Sequence, residues 1–207
     1  MRMSLAKAAR GMLAFIVAAM LAATGLASAQ NPGKPPAKAP DQTMYERYAE
    51  LKKDPAFADK LGEPARRIHD LDWMVGEWTA EAIVFATATT PEWRQDSRIA
   101  FRQVGEAMIA SDDLSTVLLW DAFIQRWRTF GAEPPVSPLA SSVGDMVDGA
   151  LLVLEGDVSL FGEPFHLRQT LRREGSDRFD ILNEQRLASG RYQAVDTYRY
   201  TRVPAGK

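Results

Sequence analysis

Leu71-Asp72-Trp73-Met74-Val75-Gly76-Glu77-Trp78 is where the character of the chain changes. Before it, apolar residues recur at helical spacing; after Gly76 they alternate with polar ones. Glycine lets the incoming backbone bend sharply because it has no Cβ to clash. Trp78 points to the same side of a strand as Gly76, where an indole can plug the end of a β core. The stretch therefore reads as the mouth of the first strand of an all-β domain.

Downstream of Gly76 the alternation predicts ten strands, near 76–86, 93–103, 106–112, 115–121, 125–131, 138–144, 149–156, 163–173, 177–187 and 191–202. Turn chemistry separates them: Thr90-Pro91, Gly105, Asp148-Gly149, Gly156-Asp157, Gly175-Ser176 and Ser189-Gly190 among others. Such pairs accept positive φ and join neighbouring strands as hairpins. Short strands joined in sequence imply antiparallel pairing, and closing the sheet removes exposed edges. The fold expected is mainly β, an antiparallel up-and-down barrel of about ten strands with short N-terminal helices. A barrel of that width is not filled by its own side chains, so a cavity is expected.

Upstream, residues 1–29 have the pattern of a Sec-type signal peptide: Arg2, Lys7 and Arg10, then an apolar run from Met12, then Ala27-Ser28-Ala29 as the cleavage site. The chain is therefore expected to be periplasmic or secreted. Residues 30–40 read as a Pro-rich linker, 41–75 as a helical lead-in and 76–203 as the barrel. Within the lead-in, Asp41 is a candidate N-cap, and Met44, Tyr45, Tyr48 and Leu51 form one stripe. Asp54-Pro55 opens a second helix, Gly62 is expected to end it, and Pro64 to open a further turn with Ile68 and Leu71 inward. These helices are expected to lie against the barrel or close one end.

Cleavage would remove three basic residues and no acid from the 25 basic and 27 acidic, leaving a net charge near −5. That balance argues against nucleic acid or an anionic membrane surface as partner. Cysteine is absent, so an exported chain of this kind relies on burial alone for stability.

Alternation assigns faces. Phe165, Leu167, Gln169 and Leu171 share one side and are expected inward, with His166 and Arg168 outward. By the same reading Phe179, Ile181, Asn183 and Gln185 face in, as do Ile99, Phe101 and Gln103, and Tyr192, Ala194, Asp196, Tyr198 and Tyr200. Trp78, Ala80, Ala82 and Val84 line the first strand. The candidate ligand-binding set is Trp78, Phe101, Gln103, Phe165, Gln169, Asn183, Gln185, Asp196 and Tyr198. An apolar concavity with a few convergent polar groups is the composition of a small-molecule site. A water-filled barrel whose polar groups satisfy one another is the alternative.

Leu71–Trp78, Trp120-Asp121 with Arg126-Trp127, and the closing Tyr198-Arg199-Tyr200-Thr201-Arg202 resemble the DUF1579 family across about residues 65–203. That resemblance implies a lipocalin-like (calycin) barrel of unknown function. It also implies a late arginine, Arg202 or Arg199, stacked across Trp78 as a structural clamp. The ten-stranded nitrobindins, of related architecture, hold haem on an inward histidine near the C-terminus. Here His69 lies in the lead-in and His166 on an outer face, so no haem or other cofactor is expected.

No His/Cys cluster or calcium-loop spacing predicts a metal site, and no nucleophile elbow or phosphate loop is present. Asp112 and Asp113, adjacent along a strand, point to opposite faces and do not make an acid–base pair. Asp196, between tyrosines, is the one candidate catalytic carboxylate. The leading expectation is an exported binding protein for a small, largely apolar or amphipathic molecule. An isomerase or hydrolase using Asp196, and an envelope interaction module using the helices, are the alternatives. Oligomeric state is left open.

Overall fold

The structure, a computed structural model, describes residues 41–111, 115–133, 137–160 and 162–204. The expected leader and linker, and the pair Asp112 and Asp113, lie outside the described residues. The described chain divides into a unit ending at Leu61 and a unit from Gly62 onward.

In the first unit, helix α1 (Met44–Leu51) is capped by Thr43 rather than Asp41. The Thr43 hydroxyl accepts from the Glu46 N–H at 3.3 Å, and the Glu46 carboxylate accepts from the Thr43 N–H at 2.7 Å. This reciprocal pair needs the acid three residues after the cap, a partner Asp41 does not have. Met44 and Tyr45 of the expected stripe are exposed, at 71% and 73% of each residue's surface. Tyr48 meets the buried Phe57 ring edge-on at 5.8 Å. Helix α2 (Pro55–Arg67) opens as expected, with Asp54 Oδ1 accepting from the Ala56 N–H at 2.9 Å. It then runs through Gly62 and Pro64 instead of stopping. Proline lacks one N–H donor, and here that loss does not end the helix.

The second unit is a closed antiparallel barrel in which each strand pairs with its sequence neighbours and the last returns to the first. Its strands are β1 (Gly76–Val84), β2 (Trp93–Val104), β3 (Ala107–Ser111), β4 (Ser115–Asp121) and β5 (Arg126–Glu133). They continue with β6 (Ser137–Val147), β7 (Leu151–Leu160), β8 (Glu163–Arg173), β9 (Arg178–Arg186) and β10 (Tyr192–Arg202). The ten-strand, up-and-down expectation holds. Closure sets Trp78 opposite Arg202, Ala80 opposite Tyr200, Ala82 opposite Tyr198 and Val84 opposite Asp196.

The expected break at Gly156-Asp157 is absent: β7 runs straight through it. Gly156 faces Ser142 on β6 and Leu167 on β8. A Cβ there would collide with the Ser141 carbonyl, and one on Gly144 with the Val153 carbonyl. These two glycines serve the close approach of β6 and β7, not a turn.

One end of the barrel is plugged. A 3₁₀ turn (Ile68–Met74) places Ile68, Leu71 and Met74 in the same buried cluster as Trp78, Phe101, Leu152, Leu171, Phe179 and Tyr200. Trp78 has no exposed surface, and its indole N–H donates to the Met74 carbonyl at 2.7 Å. Phe179 stacks flat on Tyr200 at 4.2 Å and meets Trp78 edge-on at 4.8 Å. Truncating a buried tryptophan of this kind costs about 3–5 kcal/mol.

Arg202 locks the plug. Its guanidinium lies 4.2 Å from the Trp78 ring centroid. Nη1 donates to the Val75 carbonyl at 2.7 Å, Nη2 to Trp73 at 2.6 Å and Nε to Ser176 at 3.1 Å. The expected clamp is thus Arg202; Arg199 instead faces Glu81 on the outer wall. Gly76 is required on two counts: its φ is +134°, and an added Cβ would sit 2.7 Å from Arg202 Nη1.

Candidate functional site

Away from the plug the inner wall changes composition. Phe165, Leu167, Gln169 and Gln185 are only half-buried there, although they lie on the inner face; Ile181 and Tyr198, also half-buried, pack against the plug. Small or short side chains share that face: Ala82, Ser97, Gly131, Ser142 and Gly156. Half-buried inner positions beside small residues leave this end of the barrel partly open to solvent.

The polar groups converge on two strands. Asn183 on β9 pairs across β10 with Asp196 and across β8 with Gln169. Asn183 Nδ2 donates to Asp196 Oδ1 at 2.6 Å, the carboxylate's one hydrogen bond among the described residues. Burial pushes the Asp196 carboxyl up to about 6, against the opposing pull of the Asn183 hydrogen bond. Asn183 is 9% exposed, and its Oδ1 has no hydrogen-bond partner among the described residues. The amide cannot be turned over to cure this, because the carboxylate must face the NH₂ end. Between the strand ends, Asp196 is the one carboxylate on the inner wall among the described residues.

The predicted residues therefore separate into three groups. Phe165, Gln169, Asn183, Gln185, Asp196 and Tyr198 share the inner wall. Trp78 and Phe101 belong to the plug beneath it, 0% and 6% exposed, and offer no open surface to a ligand. Gln103 is exposed at the end of β2, where its Nε2 donates to the Gly105 carbonyl at 3.1 Å. The alternation that placed it inward continues past the last turn of the barrel that is covered.

A bulge corrects a further assignment. The β9–β10 register shifts between Ala194 and Asp196, so Tyr192 faces Arg186 and Ala194 faces Glu184 on the outer wall. Tyr192 lies there under the Arg168 guanidinium, 4.0 Å from its centroid. His166 is on the outer wall as expected, 2.8 Å from Asp157.

Sequence reasoning assigned no faces in β5 and β6 and so missed Thr129 and Ser142, opposite each other and buried on the inner wall. The same alternation, in Trp127-Arg128-Thr129-Phe130-Gly131, would have found them. Trp120 and Trp127, two of the residues that carry the family resemblance, meet edge-on at 5.6 Å. Their buried indole N–H groups have no partner among the described residues.

A separate groove of about 920 Å³ lies on the outer wall over β1, β2, β9 and β10. Its outward side chains include Glu81, Asp96, Arg98, Arg178, Asp180 and Arg199, charges of both signs. Burial, with Glu174 nearby, raises the Asp180 carboxyl. No unpartnered buried group points into that groove among the described residues, so the inner wall is the stronger candidate.

No family model and no curated protein matches the chain. Among solved structures, the crystal structure of Rv2717c from M. tuberculosis is similar, at 15% identity and a TM-score of 0.47. The match covers 66% of this chain and 96% of that one. At that distance nothing about function passes between the two proteins.

Proposed function

We propose that this chain is an exported binding protein that holds a small, largely apolar or amphipathic molecule inside its barrel, and that it is a relative of the DUF1579 proteins. One observation carries the binding reading: the Asn183–Asp196 pair at 2.6 Å on a half-buried, mostly apolar inner wall, with Asn183 Oδ1 left unpartnered. A buried polar oxygen without a donor costs about 1–3 kcal/mol, and a bound molecule can supply that donor. The plug closes one end, so a ligand enters from the other and its apolar body covers Phe165, Leu167 and Ile181.

The test is native mass spectrometry of the purified protein, together with titration of an environment-sensitive apolar dye. A co-purifying small molecule and saturable, displaceable dye uptake are expected. A barrel that releases nothing and takes up no apolar probe ends this reading.

A second reading rests on the carboxyl of Asp196, pushed to about 6. A base poised near neutral pH inside a hollow suits proton abstraction from a bound substrate. On that reading Asp196→Asn folds normally and abolishes turnover in a metabolite screen, whereas unchanged turnover removes Asp196 from the chemistry.

A further inference from the structure

This inference rests on the binding reading above and concerns which end of a ligand meets the polar pair. We propose that the Asp196–Asn183 pair is the seat of a primary ammonium group, and that the barrel takes amphiphiles carrying such a head on an apolar body.

Three observations converge. First, the pair itself has only oxygen left to offer. Asn183 has spent its Nδ2 on Asp196 Oδ1 at 2.6 Å and presents Oδ1, nine-tenths buried and unpartnered. Asp196, ionised, accepts only. A ligand must therefore bring at least two donors, and an ammonium brings three. Second, nothing among the described residues balances the charge of Asp196. Burial and the Asn183 hydrogen bond are the influences on its carboxyl, with no cation among them. The inner arginines, Arg173 and Arg202, stand at the plugged end; Arg202 is committed to Trp78 and three backbone carbonyls. A desolvated carboxylate without a counter-charge is costly, and a bound cation offsets that cost where a neutral alcohol does not. Third, Tyr198 follows Asp196 on the same face of β10, and the wall beyond is Leu167, Phe165 and Ile181. An aromatic ring next to the carboxylate suits a cation, and the aliphatic wall suits a hydrocarbon tail. An anionic head placed on the pair itself would meet two acceptors.

The test compares four probes of one chain length, each below its micellar concentration: decylammonium, decanol, decanoate and decyltrimethylammonium, by calorimetry at pH 7.5. Charge-assisted hydrogen bonds in a desolvated site discriminate by about ten-fold or more. Decylammonium is expected to bind at least about ten-fold tighter than decanol or decanoate. Decyltrimethylammonium, which has the charge but no N–H, should be weaker than decylammonium. Asp196→Asn should cancel the preference by lowering decylammonium affinity about ten-fold while leaving decanol within about two-fold. Asn183→Ala, which keeps the carboxylate, should reduce the preference several-fold and gives a second variant if Asp196→Asn misfolds. Decanol or decanoate binding as tightly as decylammonium overturns the ammonium assignment but leaves the binding reading standing. Uptake of none of the four removes both.

Discussion

Asp196→Asn isolates how dry the inner wall is. In the fold the Asp196 carboxyl sits at about 6, against an ordinary value of 3.8, because burial disfavours its charged form. The fold thus holds the proton more tightly than the unfolded chain does. Its contribution to stability is complete below the unfolded value and lost as pH climbs through about 6. Each tenfold in proton affinity is worth about 1.4 kcal/mol, so the two values differ by up to about 3 kcal/mol. Because Asp196 is half-buried rather than sealed, solvent screening reduces the expected contribution to about 2 kcal/mol. Urea denaturation followed by tryptophan fluorescence, at pH 4 and pH 7.5, gives the measurement. The wild type is expected to lose about 2 kcal/mol more than Asp196→Asn between those two pH values. Taking the difference between the proteins cancels the other carboxylates, including Asp180, whose carboxyl is also raised by burial. Parallel pH profiles would mean that Asp196 is solvated, and the argument for a hollow with a dry polar seat would fall.

Three further outcomes test the frame that holds the site. Gly76→Ala should cost about 2–4 kcal/mol, because it forces a side chain to φ +134° and onto Arg202 Nη1; an unchanged urea midpoint would remove the double requirement placed on this glycine. Gly144→Ala drives a Cβ into the Val153 carbonyl of β7, so about 3 kcal/mol or more is expected, with faster amide exchange in β6 and β7. A neutral result there would show that these two strands are not closely apposed. Arg202→Met removes three backbone hydrogen bonds and the stack on Trp78. It should lower the melting temperature by an amount matching about 2–4 kcal/mol and change the Trp78 emission, while a silent substitution would reduce the clamp to a surface contact.

Much of the barrel was legible because alternation is a local property. In β8 and β9 each residue's face follows from its neighbours in sequence, and Gln169, Asn183 and Gln185 fell on the predicted wall. Gly76 and Trp78 were legible for the same reason: a bend and a plug are made by adjacent residues. What failed, failed where a partner strand decides. Gly156 next to an aspartate looks like a turn, yet its missing side chain makes room for β6. Tyr192 and Ala194 follow the rhythm of Asp196, yet the irregularity at Val195 turns them outward.

By itself, then, the sequence determined that the chain from Gly76 onward would be paired strands with one apolar face, and that Trp78 would stand at the start of them. Both follow from the chemistry of residues close together in the chain. Only the tertiary structure decided how deep each inward residue lies. Strand stagger around the closed barrel put Trp78 and Phe101 into a sealed plug, while the bulge before Asp196 set the β9–β10 pairing that holds Asn183 within 2.6 Å of it. That stagger is a property of the closed ring of pairings, and no single strand encodes it.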